Sequence, residues 1–181
     1  MKLNTGKIIL ESERLLFRLH TLDDMDDFCA MEQDPEVRRY VGGKPRTRVE
    51  AEDRFINGPM QPHDGFWAMW ATTLKSNNQY VGRCGLYPHY NEAGEIIEGD
   101  ASMGLYIAHQ HWRKGYATEA GLALIRFGFN DHHLKRIVTT IDIENAVSVH
   151  VIEKLGFTLA QTEHGGHRSF YHYLLANPAY S

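Results

Sequence analysis

Residues 111–120, HWRKGYATEA, concentrate the residue types that hold an anion. A short polar loop there runs into a helix around Gly115, and the amides at a helix start have no intrahelical partner, so they can converge on a phosphate. Gly115 puts no side chain in the way. Arg113 and Lys114 add positive charge at the same end, and Thr118 offers a hydroxyl within the first turn. The spacing is neither the GxGxxG of a dinucleotide fold nor the GKS or GKT ending of a Walker loop. An ordinary helix start has the same ingredients, so this segment alone specifies an anion cradle and no particular ligand.

A second segment narrows the reading. Residues 144–157, ENAVSVHVIEKLGF, read as a helix closed by Gly156, with Asn145 or Asp142 as its cap and Val149, Ile152 and Leu155 on one face. Together the two segments resemble the GNAT superfamily of acyl-coenzyme A N-acyltransferases. In that family a first motif, Q/R-x-x-G-x-G/A, binds the coenzyme A pyrophosphate, and a second, N-x-x-S/A followed by K-x-G-F, lies beside the pantetheine arm. Here they stand as WRKGYA, residues 112–117, and as Asn145, Ser148, Lys154, Gly156 and Phe157. The chain further resembles the RimJ/RimL-like branch, named for ribosomal-protein N-terminal acetyltransferases. That branch opens with a T/S-E-R-L strand and an acidic helix ending in D-P-E-V, matched by SERLLFRL at 12–19 and by Asp34 to Val37. Trp112 replaces the superfamily's Gln or Arg but suits this branch.

The resemblance implies transfer of an acetyl group from acetyl-coenzyme A to a primary amine, a protein N-terminus or a small molecule, by direct attack on the thioester. Arg113, Lys114, Gly115, Tyr116, Ala117 and Thr118 would hold the pyrophosphate, and Asn145 would lie along the pantetheine. Leu105, Tyr106 and Ile107 would flank the thioester, with an amide near Tyr106 or Ile107 stabilising the developing oxyanion. Many members use a tyrosine four residues after the Ser148 position as the acid; here that residue is Ile152. Ser148 therefore becomes the group expected to protonate the thiolate. The glutamate that often serves as base corresponds to Ser102, which leaves Asp100, on the same strand face, as the candidate base through water, with Glu98 just before it. The alternative is a coenzyme A-binding sensor of the same fold that has lost useful catalysis.

The elements expected to carry these residues form a single domain spanning 1–181. A half-buried strand at 15–19 precedes an acidic amphipathic helix at 21–31 and a second helix at 49–56. Strands at 66–74 and 80–87 read as a hairpin, followed by a strand at 101–107, the cradle, and a largely apolar helix at 117–130. A strand at 136–141, the second motif's helix, and strands at 158–162 and 169–175 close the chain. The order β-α-α-β-β-β-α-β-α-β-β predicts an α+β fold. In the resembled GNAT fold this is one mixed, mostly antiparallel sheet splayed near its middle, with helices on both faces.

Bulk properties narrow the class. At 181 residues, 43% hydrophobic, the chain can bury a full core. The N-terminus lacks a signal peptide's apolar segment and no run is long enough to span a bilayer, so a cytoplasmic protein without a membrane partner is expected. A net charge of −4 argues against nucleic acid as a partner. Cys29 and Cys84 read as reduced packing residues. The eleven histidines show no HExxH or finger spacing, and no metal is expected; His109 and His111 flank the cradle and could touch the coenzyme or shuttle a proton. A homodimer is left open. The acceptor is expected between residues 38–62 and the final strand with Tyr171, His172 and Tyr173. There Arg38, Arg39, Arg46 and Arg48 either recognise an acidic acceptor or keep a helix soluble.

Overall fold

The computed structural model describes residues 6–61 and 67–180. Eight strands form one sheet: β1 (Ile8–Glu11), β2 (Leu15–Arg18), β3 (Ala68–Leu74), β4 (Tyr80–Tyr90), β5 (Ile96–Ile107), β6 (Arg136–Asp142), β7 (Thr158–His164) and β8 (Ser169–Ala176), in the spatial order β1-β2-β3-β4-β5-β6-β8-β7. Every neighbouring pair is antiparallel except β5 with β6. The helices are α1 (Met25–Gln33), α2 (Pro35–Arg38), α3 (Arg48–Asn57), α4 (Tyr116–Arg126) and α5 (Ala146–Lys154). The α+β class and the sheet expected from the element order are observed. Phe66 and Pro62, expected at the start of a strand and the end of the acceptor region, lie outside the described residues.

Two elements were not expected. β1 is only four residues long and half-exposed, too short for alternation to mark it. α2 arises from the D-P-E-V run, where the Asp34 carboxylate accepts the amide of Glu36 at 2.8 Å and Pro35 occupies the first turn, which needs no donor there. The apolar helix after the cradle is α-helical only to Arg126 and finishes in a wider π turn over Phe127–Asp131.

Alternation along the strands sends apolar side chains to two cores. On one face Trp70, Leu86, Met103, Leu124, Ile137, Ile152 and Phe157 pack between the sheet and α4 and α5. On the other, α1 and α3 close over Phe28, Cys29, Ala51, Phe55 and Met60. Full burial of each large side chain contributes about 1.5–3 kcal/mol, so these contacts hold the helices to the sheet. Both cysteines are buried and unpaired, and burial pushes the Cys84 thiol up to about 12, which keeps it protonated at neutral pH.

The sheet divides in the middle. β5 and β6 pair only at Asp100 with Arg136, Ala101 with Ile137 and Ser102 with Val138. Just beyond, the Thr139 hydroxyl donates to the Met103 carbonyl at 3.1 Å, the last bridge across. From there β5 stays with β4 as far as Ile107 opposite Gly82, while β6 stays with β8 as far as Asp142 opposite Phe170. A V-shaped slot is left between the two halves.

Candidate active site

The cradle forms where β5 leaves the sheet. Gly115 is the N-cap of α4 at φ +79°, a left-handed conformation that favours glycine, and Arg113 also adopts positive φ at 61°. The first amide that α4 satisfies internally is that of Glu119, which donates to the Gly115 carbonyl at 3.0 Å. The amides of Tyr116, Ala117 and Thr118 precede it and point out of the helix start. The residue at Trp112 has a structural reason: its indole N–H donates to the Ile107 carbonyl at 2.7 Å, tying the cradle loop to the last residue of β5. A Gln or Arg there would also bring an N–H.

Arg14 belongs to the cradle although it lies about a hundred positions away in sequence. Its guanidinium donates to the Lys114 carbonyl at 3.1 Å, sits 4.7 Å from the centre of the Tyr116 ring, and pairs with Glu119 at 2.6 Å. A Cβ added to Gly115 would come within 3.4 Å of it. Glu119 would otherwise place a negative charge in the first turn beside a bound anion. Burial works to raise its pKa, but hydrogen bonds from the Ser12 hydroxyl, the Arg14 amide and the Arg14 guanidinium outweigh this and hold the carboxyl below its usual range. Glu119 thereby anchors a cation at the mouth of the cradle.

Main-chain parity decides which groups face the slot, because successive residues of a strand direct their N–H and C=O to opposite edges. Ala108 donates to Val81 on the β4 side at 2.8 Å, whereas the carbonyls of Met103 and Ile107 are taken from the other side, by Thr139 and Trp112. Leu105 and Ile107 therefore turn their amides toward the slot, and Tyr106 turns its main chain toward β4. The oxyanion donor expected near Tyr106 or Ile107 is thus narrowed to the odd residues, and the Ile107 carbonyl is already spent.

A cradle of free amides, a cationic rim and a splayed parallel pair meet at one end of β5. Residues 14–158 match the acetyltransferase (GNAT) domain family. The chain belongs to the GNAT acetyltransferase family. It is 32% identical over 149 residues to an uncharacterized N-acetyltransferase, p20, of Bacillus licheniformis, covering 82% of this chain and 81% of that one. It is 30% identical over 161 residues to the uncharacterized protein YkkB of Bacillus subtilis, covering 87% and 89%. Among solved structures, a GNAT-family acetyltransferase from Bacillus anthracis superposes with a TM-score of 0.79 at 24% identity over 93% of this chain and 98% of that one. Spermidine N-acetyltransferase from Vibrio cholerae, in complex with CoA and spermine, gives 0.73 at 18% identity over 92% and 97%. The likeness to these structures is one of GNAT fold.

Within this GNAT domain the second motif starts α5 beside the diverging end of β6. Asn145 is the N-cap, its side-chain oxygen accepting the Ser148 amide at 3.1 Å. Asp142 shapes the preceding turn by accepting the Glu144 amide at 3.0 Å. Ser148 is half-buried, one turn before Ile152 on the inward face of the helix. Ile152 itself is a core residue, 4% exposed.

Asp100 requires a correction. Its carboxylate receives both arms of the Arg136 guanidinium, at 3.0 and 2.6 Å, at the closed apex of the slot. Both carboxylate oxygens are thus taken by Arg136, and the strand from there to Leu105 is about 17 Å long. Asp100 and Arg136 join the two halves of the GNAT sheet. Sequence reasoning missed His89 instead, whose Nδ1 lies 3.1 Å from the Ser102 hydroxyl. Burial, then the charges of Arg136 and His172, hold the His89 pKa below its ordinary value against the pull of Asp100. Only the antiparallel register of β4 with β5 brings His89 and Ser102 together.

The remaining candidates are occupied in other ways. Tyr173 is buried and donates to Glu153 at 2.9 Å, so it belongs to the core and does not wall the slot. His109 lies 3.4 Å from Asp34 and stacks near Trp112. His111 is buried beside Tyr116, and burial followed by the Lys114 charge keeps it neutral. Among the described residues no three His, Cys, Asp or Glu side chains converge as metal ligands, and no helix is long and apolar enough to cross a membrane.

Proposed function

We propose that this GNAT domain transfers the acetyl group of acetyl-coenzyme A to a primary amine by direct attack, as a cytoplasmic enzyme of the RimJ/RimL-like branch. The observation that carries the reading is the alignment of the Tyr116–Thr118 amides with the slot-facing amides of Leu105 and Ile107 along one continuous piece of chain. Acetyl-coenzyme A supplies the activated acyl thioester. The residues fit it: Gly115 leaves the cradle open, while Arg113, Lys114 and Arg14 offer positive charge to a diphosphate. The amides of Leu105 or Ile107 are oriented to donate to a carbonyl oxygen that gains negative charge. In this reading Ser148, half-buried in the first turn of α5, gives a proton to the departing sulfur, and the Asn145 side-chain N–H group bonds an amide of the pantetheine arm. With Cys84 held as a thiol, no covalent enzyme intermediate is needed.

The base in this reading is His89, acting with the Ser102 hydroxyl as a relay. Its lowered pKa leaves it neutral, and so able to accept a proton, throughout the neutral range. The expected kcat/KM profile is flat near pH 7 and falls only on the acid side of the ordinary histidine range, where the imidazole becomes charged. His89→Gln should lower the plateau and abolish that acidic limb; a variant that keeps the limb would remove His89 from the mechanism.

The coenzyme reading is tested by titration calorimetry with coenzyme A and by thiol release from acetyl-coenzyme A across an amine panel, with mass analysis of the product. Gly115→Val combines a β-branched side chain with a left-handed backbone and fills the cradle, so coenzyme affinity should fall at least about a hundredfold. Wild-type protein that binds neither form of the coenzyme would sink the proposal. Tight binding without turnover on any amine would favour the sensor reading.

A further inference from the structure

On the sheet face covered by α1–α3, one carboxylate serves four guanidiniums. Glu32, 3% exposed, accepts from Arg83 at 2.6 Å, from Arg46 at 2.8 Å and from Arg38 at 3.2 Å, and Arg54 stands 3.8 Å away. One negative charge cannot neutralise four positive ones, and the arginines themselves feel the crowding. Burial and then mutual repulsion by neighbouring guanidiniums lower the pKa of both Arg38 and Arg54, although both stay charged.

A cavity of about 450 Å³ opens on this cluster, lined by Arg46, Arg54 and Arg83 together with Glu50, Asp53 and Asn57. The two acids on its rim are exposed and already engaged. Glu50 closes a capping box with Thr47, accepting its amide at 2.7 Å and its hydroxyl at 2.9 Å, and Asp53 accepts from Asn57 at 2.8 Å. The Arg54 guanidinium, half-exposed, donates no hydrogen bond to any described residue. Arg83 links the cavity to the reacting strand, since its guanidinium lies 5.0 Å from the centre of the Tyr106 ring, between Leu105 and Ile107.

We infer that the amine acceptor is a small molecule carrying a carboxylate or phosphate, held by Arg54 and Arg46 with Arg83 behind them, and that the amine is thereby presented to the slot. The inference rests on the acetyl-transfer reading and deepens it. Guanidinium forks match the planar or tetrahedral oxygens of such anions in pairs. Counting Glu32, Glu50 and Asp53 against Arg38, Arg46, Arg54 and Arg83 leaves one surplus positive charge, and a polyamine would bring its own cations against these guanidiniums, so on this inference the structural neighbour that is a spermidine N-acetyltransferase shares the fold and not the acceptor.

The experiment compares acid and neutral partners as acceptors: L-amino acids against their amides, and O-phosphoethanolamine against ethanolamine, with spermidine and an uncharged octapeptide alongside. The acidic member of at least one pair should have a kcat/KM at least tenfold higher, and the pair that shows it tells carboxylate from phosphate. Arg54→Gln should shrink that ratio at least tenfold, chiefly through KM, while Arg54→Lys keeps part of it and the remote Arg126→Gln leaves it intact. Preference for spermidine, for the peptide or for the neutral partners overturns the inference, as does a ratio unmoved in Arg54→Gln. If no acceptor releases thiol, the transfer reading fails separately. The anion site is then read by titrating coenzyme A-saturated protein with N-acetylglycine against N-acetylglycinamide and with O-phosphoethanolamine against ethanolamine, and equal affinities within both pairs overturn it.

Discussion

Replacing Ser148 by alanine is expected to lower kcat by about a hundredfold or more while leaving the dissociation constant for coenzyme A within about twofold. A positioned general acid contributes about 10²–10⁴ in rate. The hydroxyl sits on the inward face of α5, one turn before Ile152, whose burial removes it from proton transfer. The main-chain amide of Ser148, which the Asn145 cap uses, survives the substitution, so the loop that would receive the pantetheine arm keeps its shape. The separation of the two constants is therefore the informative readout. Steady-state turnover with the best acceptor, together with calorimetry, supplies both numbers. Unchanged turnover would return Ser148 to being an ordinary helix serine, and an equal loss in coenzyme binding would make it a structural residue.

Glu32→Ala should cost the fold about 3–5 kcal/mol, the range seen when one partner of a buried ion pair is removed. Arg83 and Arg38 are 9% and 5% exposed at their side chains, so loss of their counter-charge leaves two cations largely out of water. The expected drop in Tm is about 6–20 °C for a chain of this size. Removing the excess cation should be far milder: Arg54→Gln takes a half-exposed group at the edge of the cluster and should shift Tm by no more than about 2 °C. Thermal melts of the two variants side by side check both statements. A melt of Glu32→Ala within 2 °C of the parent would show that water or Glu50 reaches the arginines.

The parts of the site that were legible in the sequence are those whose meaning is local. Gly115, Arg113 and Lys114 announce a helix start with open amides, and Asn145 announces a cap, because cap chemistry is written within a few residues. The fold class followed from the order of elements, and D-P-E-V, though quoted, was not read as the short helix it starts. What stayed hidden depends on partners brought together by the sheet. Arg14 reaches Lys114 and Glu119 across most of the chain, His89 meets Ser102 only through strand register, and Arg83 meets Glu32 from a different element. Asp100 shows the opposite error: its residue type and face suited a base, but nothing in the local sequence revealed that Arg136 would occupy both its oxygens. The arginines at 38, 39, 46 and 48 stand out in the sequence as a group, yet only Arg38 and Arg46 of them join the cluster. Arg48 turns instead to Glu52 and Asp26.

The Asp100–Arg136 pair also has a mechanical meaning. With three residue pairs and one threonine bridge on the parallel seam, the two half-sheets are joined like the blades of a pair of tweezers at their riveted end. A rotation of one degree at that rivet displaces the free tips, about 17 Å away, by about 0.3 Å. Hydrogen-bond geometry is sensitive on that scale. The residue that first suggested itself as a participant in the reaction thus governs, from a distance, how wide the gap stands for those that are.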